Sequence, residues 1–212
     1  MNIIDISPVI SEKIGVWPGD TSYSREVLMD TDKGDHLGLS KITSTLHLGA
    51  HTDAPNHYMP ESQGMSERSL HYYYGPCQVI TASTKKGERI ALSDLANQEI
   101  RAPRVIIKTG SFPDPDRWNH DFCSLSVELV EFLADKNVLL IGIDTPSVDP
   151  INSKDLPAHK AIHKFNMAIL EGVVLSAVSD GIYTLSALPL NLKDADASPV
   201  RAVLIGRPVE FF

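Results

Sequence analysis

The segment His47-Leu48-Gly49-Ala50-His51-Thr52-Asp53-Ala54-Pro55-Asn56-His57 places three imidazoles and a carboxylate within eleven residues. Whatever fold contains it must hold several strong ligands close together, a tighter constraint than any apolar run in the chain imposes. Side chains alternate along an extended strand, so residues 47, 49, 51 and 53 share one side. At about 3.3 Å per residue a straight strand would separate His47 from His51 by about 13 Å, whereas imidazoles on a shared ion approach it to about 2.1 Å. A bend at Gly49 resolves the conflict, because glycine reaches backbone angles closed to other residues and permits close approach. Pro55 lacks an amide donor and biases Ala54 towards extended angles, which excludes a regular helix through Asp53 and His57. A lone strand histidine is more often a packed or surface side chain than a ligand. Four such groups together read as a metal or acid/base site, in which His57 fits either a fourth ligand or a free base.

A second group lies in Ala158-His159-Lys160-Ala161-Ile162-His163, followed by Glu171-Gly172. On a helix His159 and His163 would share a face, which suits either a metal pair or a polar surface stripe. Glu171 follows an apolar run, where a carboxylate needs water or a positive partner, and a metal is one such partner.

Composition narrows what these groups can serve. The chain has 212 residues, 42% of them hydrophobic, enough for one sizeable core. No apolar run approaches the ~18 residues of a membrane span. The lead Met1-Asn2-Ile3-Ile4-Asp5 lacks the basic and apolar features of a secretory signal, so a cytoplasmic location is expected. A formal charge of -8 disfavours nucleic acid and anionic membrane surfaces as partners. Cys77 and Cys123 form no CxxC, so a metal is expected on His and carboxylate rather than thiolate.

Short β-branched runs predict strands at 3–6, 42–48, 79–82, 105–108, 138–143, 173–176 and 202–205. Ser126 followed by Val127 to Lys136 reads as a capped helix with acids in its first turn, stopped at Asn137. The apolar run from Val138 to Ile143 suits a strand covered on both faces. Without repeats or linkers, residues 1–212 are expected to form a single β-rich α/β domain.

The first motif resembles the HxGTHxDxPxH signature of the metal-dependent cyclase family. Trp17-Pro18-Gly19-Asp20, the segment from Gly142 to Pro150, Ala168-Ile169-Leu170-Glu171-Gly172, Ala187-Leu188-Pro189-Leu190 and the segment from Asp196 to Ala202 resemble the bacterial kynurenine formamidases within it. Ala50 stands where the signature carries Thr, which implies loss of a supporting hydrogen bond rather than of a ligand. The resemblance implies a swivelling β/β/α fold with a barrel-like sheet, and a homodimer. It implies two zinc ions, with His47, His51 and Asp53 on the first, His159 on the second, and Asp53 and Glu171 bridging. His163 is then no ligand. The implied reaction is hydrolysis of N-formyl-L-kynurenine to L-kynurenine and formate in tryptophan breakdown, by zinc-activated hydroxide with His57 transferring protons. Trp17, which alone would read as a half-buried core indole, is implied to line the pocket for the substrate's ring. Asp144 and Asp149 read as turn formers or as supports for the ligands, and stay outside the candidate site.

Two alternatives remain at this level. One is a cyclic-amide hydrolase of the isatin hydrolase type using manganese on a similar donor set. The other is a non-catalytic protein that holds metal for stability. A serine hydrolase is disfavoured because the chain has no GxSxG nucleophile elbow.

Overall fold

The computed structural model describes residues 2–96 and 98–206. The expected domain of 1–212 therefore extends beyond the described residues at both ends. In chain order the first strands are β1 (Ile3–Asp5), β2 (Ser24–Met29), β3 (Leu39–Thr43), β4 (His51–Asp53), β5 (Tyr74–Thr81), β6 (Arg89–Ile90) and β7 (Arg104–Lys108). They are followed by β8 (Ser124–Leu125), β9 (Leu140–Ile143), β10 (Ala168–Leu170), β11 (Gly181–Ser186), β12 (Ala197–Pro199) and β13 (Val203–Ile205). The two α-helices are α1 (Val127–Asp135) and α2 (Pro157–Lys164).

Seven strands form one mixed sheet in the order β1-β13-β11-β5-β7-β9-β10, curled into a half-barrel. The β5, β7, β9 and β10 strands run parallel, and the remaining pairs are antiparallel. Alternation along β7 explains why both faces are covered. Val105 and Ile107 point into a core shared with Leu129, Val130 and Leu133 of α1 and Ile162 of α2, whereas Ile106 joins Val79, Leu140, Leu185 and Leu204 on the other face. The α/β class with a barrel-like sheet matches the sequence expectation.

Local signals explain the helix that was expected. The Ser126 hydroxyl accepts the Leu129 amide at 3.1 Å, and Asn137, in the left-handed region at φ 59°, ends the segment.

Two expected strands need correction. The run 42–48 stays in a strand only to Thr43, because the Thr45 side chain accepts the His47 amide at 3.2 Å and draws it away from any ladder. His47 consequently comes from a loop and does not share a strand face with His51 and Asp53. The run 173–176 is not a strand either. Gly172, at φ +67°, turns the chain out of β10, and Val174 donates to the Ile6 carbonyl while Val173 and Leu175 remain core residues.

A ribbon of β4 and β12 completes the scaffold around the ligands. Asp53 pairs with Ala197 and His51 with Pro199. His51 and Glu171 exchange backbone hydrogen bonds of 3.1 and 2.9 Å, which seats β4 beside the end of β10.

Candidate metal centre and aromatic pocket

Close backbone contact brings the two halves of the centre together. Gly49 has φ +57°, so the expected bend is present. A Cβ on Gly172 would lie 2.1 Å from the Gly49 carbonyl oxygen, a contact no side chain could make. The Gly49 carbonyl accepts from His51 Nδ1 at 2.9 Å, which leaves His51 Nε2 facing the carboxylates.

Asp53 lies at the middle of the cluster. Its Oδ1 is 3.1 Å from His47 Nδ1 and 3.5 Å from His51 Nε2, and its Oδ2 is 3.5 Å from His159 Nε2. Glu171 divides its oxygens in the same way, with Oε2 3.2 Å from His51 Nε2 and Oε1 3.9 Å from His159 Nε2. The structure thus brings His47, His51, Asp53, His159 and Glu171 together although they span 125 positions of the sequence, from 47 to 171. His163 does not join them; its ring packs 6.2 Å from that of Tyr58, which also covers His159 at 5.0 Å.

The donor set fits a cation. His51 Nε2 and both oxygens of Asp53 are buried without a hydrogen-bond partner, a costly arrangement unless something positive satisfies them. The electrostatics agree. Burial lowers the His47 pKa, but the Asp53 carboxylate 3.1 Å away, the hydrogen bond to Asp196 and the charge of Glu171 raise it to about 9. Burial likewise opposes, and the hydrogen bond to Asp149 together with the nearby Asp53 carboxylate outweighs it, in raising His159. Asp53 is held well below the usual carboxylate range by His159 and His47 in spite of burial. A region that holds protons this firmly is one in which a divalent cation is favoured. The triads His47–His51–Asp53 and Asp53–His57–His159 each offer ligand atoms within 4.8 Å of one another.

His57 stands at the edge, its side chain 34% exposed and its ring 4.1 Å from that of His47. Burial together with His47 and His159 outweighs the acids and lowers its pKa.

Sequence reasoning left out three kinds of residue. Asp196 Oδ2 lies 3.1 Å from His47 Nε2 and 3.7 Å from His57 Nδ1, placed there by β12. Asp149 accepts His159 Nδ1 at 2.8 Å, both the Ala158 and His159 amides, and Arg89 at 2.9 Å, so it supports a ligand and caps α2. The third kind is aromatic. Phe112 and Trp118 join Trp17, which the family resemblance implies at the pocket, in lining a cavity of about 260 Å³ whose floor includes His51, His159 and Glu171. Trp17 meets Trp118 edge to face at 5.5 Å, and Phe122 lies behind both at 6.3 and 6.2 Å. The only sequence hint was a cluster of aromatics in the Pro- and Asp-rich stretch 112–122. Asp144 also reaches the cavity wall, where it accepts the Thr109 and Gly110 amides and the Thr109 hydroxyl.

The Cyclase family model, described as "Putative cyclase", matches residues 4–150. A kynurenine formamidase of Bacillus cereus is 39% identical over 207 residues, 97% of each chain. A solved structure described as a potential metal-dependent hydrolase with cyclase activity is 26% identical and covers 96% of both chains at a TM-score of 0.83. Isatin hydrolase A from Labrenzia aggregata, 20% identical, shares the fold over 97% of this chain and 94% of its own at a TM-score of 0.79. The chain belongs to the cyclase family and is related along nearly its whole length to kynurenine formamidase.

Proposed function

We propose that the chain is a metal-dependent formamidase that hydrolyses N-formyl-L-kynurenine to L-kynurenine and formate, a step of tryptophan breakdown. The observation that carries this reading is the buried, unpartnered donor set of His51 and Asp53 at the floor of an aromatic-walled cavity. The name of the 39% identical relative supports it. His47, His51 and Asp53 would hold one zinc ion and His159 a second, with Asp53 and Glu171 shared, since each divides its oxygens between the His51 and His159 sides. Manganese is the alternative ion that the same donors accept. When bound, such ions lower the pKa of water to about 7 and polarise a carbonyl oxygen.

The chain's own groups do the rest. Trp17 and its aromatic neighbours hold the ring of the substrate and keep water from the formyl group. His57 takes a proton from the attacking water and passes it to the aniline nitrogen as the C–N bond breaks and the new C–O bond forms. Asp149 keeps His159 Nδ1 protonated and its Nε2 turned to the site.

The functional unit in this reading is one domain spanning the chain and acting in the cytoplasm as a homodimer. The β2–β3 hairpin supports a second copy as partner, because it leaves Val27, Leu28, Leu39 and Ile42 between 44% and 64% exposed. Among the described residues no helix is long and apolar enough to cross a membrane. Rates of the purified, zinc-loaded protein on N-formylkynurenine and on isatin test the proposal. Faster turnover of the formamide is expected; hydrolysis of isatin alone would overturn it.

A further inference from the structure

We propose that Asp20, with the indoles of Trp17 and Trp118, forms a subsite for an ammonium group on the substrate, so that the cavity selects aryl formamides carrying a cationic side chain. The inference rests on the formamidase reading and specifies the class of substrate within it. Trp17-Pro18-Gly19-Asp20 is a turn closed by the Asp20 amide on the Trp17 carbonyl at 2.9 Å, with Gly19 at φ +91°. Proline at the second position and a left-handed glycine at the third are what a type II turn requires. Such a turn brings the Cα atoms of its first and fourth residues within about 7 Å, so Trp17 and the exposed Asp20 reach the cavity from one short turn. Both residues line the cavity, as does Trp118, whose ring lies 5.5 Å from that of Trp17 at 75°. The Gly15 amide ties this segment to the Pro115 carbonyl at 2.8 Å and so holds the two indoles together.

The charges of the wall give the selection its sign. Among the described residues that line the cavity there is no Lys or Arg, while Asp20 and Asp144 both contribute to it. Asp144 already takes the Thr109 and Gly110 donors, but Asp20 accepts only the Thr21 amide, through Oδ1 at 2.6 Å, and forms no ion pair among the described residues. A carboxylate that lines the same cavity as two indoles makes a favourable environment for an ammonium ion. An anionic group at the same place would meet the Asp20 carboxylate with no Lys or Arg among the described lining residues to offset it. An α-amino acid side chain on the substrate would therefore bind through its ammonium and leave its carboxylate towards solvent.

The test compares N-formylkynurenine with two analogues, one lacking the α-amino group and one lacking the α-carboxylate. Loss of the amino group should lower kcat/KM about tenfold or more, mainly through KM, and loss of the carboxylate less than about threefold. In Asp20→Asn the ratio between parent and deaminated analogue should collapse towards one. Equal rates for the parent and the deaminated analogue would overturn the proposal. So would an Asp20→Asn variant that slows both alike, since that is the effect of a turn-forming role alone. Quenching of Trp fluorescence by the corresponding aryl ketone amine and acid reads the subsite without turnover. Preference for the amine supports it and equal binding overturns it, whereas absence of formamide hydrolysis with that preference intact would count against the catalytic reading only.

Discussion

His159 Nδ1 donates to Asp149 Oδ2 at 2.8 Å, and this bond decides which imidazole nitrogen faces the carboxylates. The same Asp149 caps the start of α2 through the Ala158 and His159 amides. A single carboxylate therefore fixes both the helix and the ligand it carries. Asp149→Ala should weaken metal affinity by about 10- to 100-fold, the usual effect of losing an outer partner of a ligand. Competition with a chelator of known affinity measures this. Unchanged affinity would show that packing alone holds the ring.

His57 is expected to act on protons rather than to hold metal. His57→Ala should retain its metal and lose about 10²- to 10⁴-fold in rate, the range for a general acid or base. Metal analysis alongside turnover kinetics decides the matter. A variant that turns over normally, or that loses metal, would remove His57 from this role.

Acid stability depends in part on a site remote from the metal centre. Asp180 accepts the Thr81 amide at 3.0 Å, the Thr81 hydroxyl at 2.6 Å and the Gln98 side-chain amide at 3.1 Å. Burial raises its pKa, but these bonds outweigh burial and the net shift is downward from 3.8. With a folded pKa below the unfolded one, its contribution is complete above the unfolded value and is lost as pH falls through the folded value. Asp180→Asn should cost roughly 0.5 kcal/mol at neutral pH, since the carboxylate is exposed and screened by solvent, and should flatten the loss of stability on acidification. Urea denaturation at a series of pH values measures this; curves parallel to those of the parent would contradict it.

The β2–β3 hairpin offers a test of the proposed dimer. A two-stranded hairpin without further cover is marginal in water, and every residue of β3 is exposed. Ile42 stands opposite Arg25 at 64% exposure, so Ile42→Glu gives Arg25 an opposite charge and preserves the hairpin while spoiling an apolar contact with a second copy. Sedimentation should show a dimer for the parent and a monomer for the variant. An unchanged dimer would place the interface elsewhere.

Much of the centre was legible because its chemistry is concentrated in sequence. His47, His51, Asp53 and His57 fall within one segment, and the conflict between strand spacing and metal reach predicts the bend that Gly49 makes. The Ser126-capped helix and the strands around Ile106 and Ile141 follow from local pattern in the same way. Asp196 was not legible as a site residue, because its distance from His57 is set by pairing of β12 with β4 across 139 positions of chain. Trp118 likewise meets Trp17 where two loops distant in sequence approach, tied by the Gly15 amide on the Pro115 carbonyl. The strand expected at 173–176 failed because apolar β-branched residues report burial, and at Val173 and Leu175 burial comes without a hydrogen-bonded ladder.

We propose that one buried set of imidazoles and carboxylates holds two divalent ions. Anomalous diffraction at the zinc edge, from crystals grown with zinc, tests it most directly. Two peaks are expected, one bounded by His47, His51 and Asp53, the other beside His159, with Asp53 and Glu171 between them. No peak at these side chains, or zinc bound elsewhere on the molecule, would contradict it.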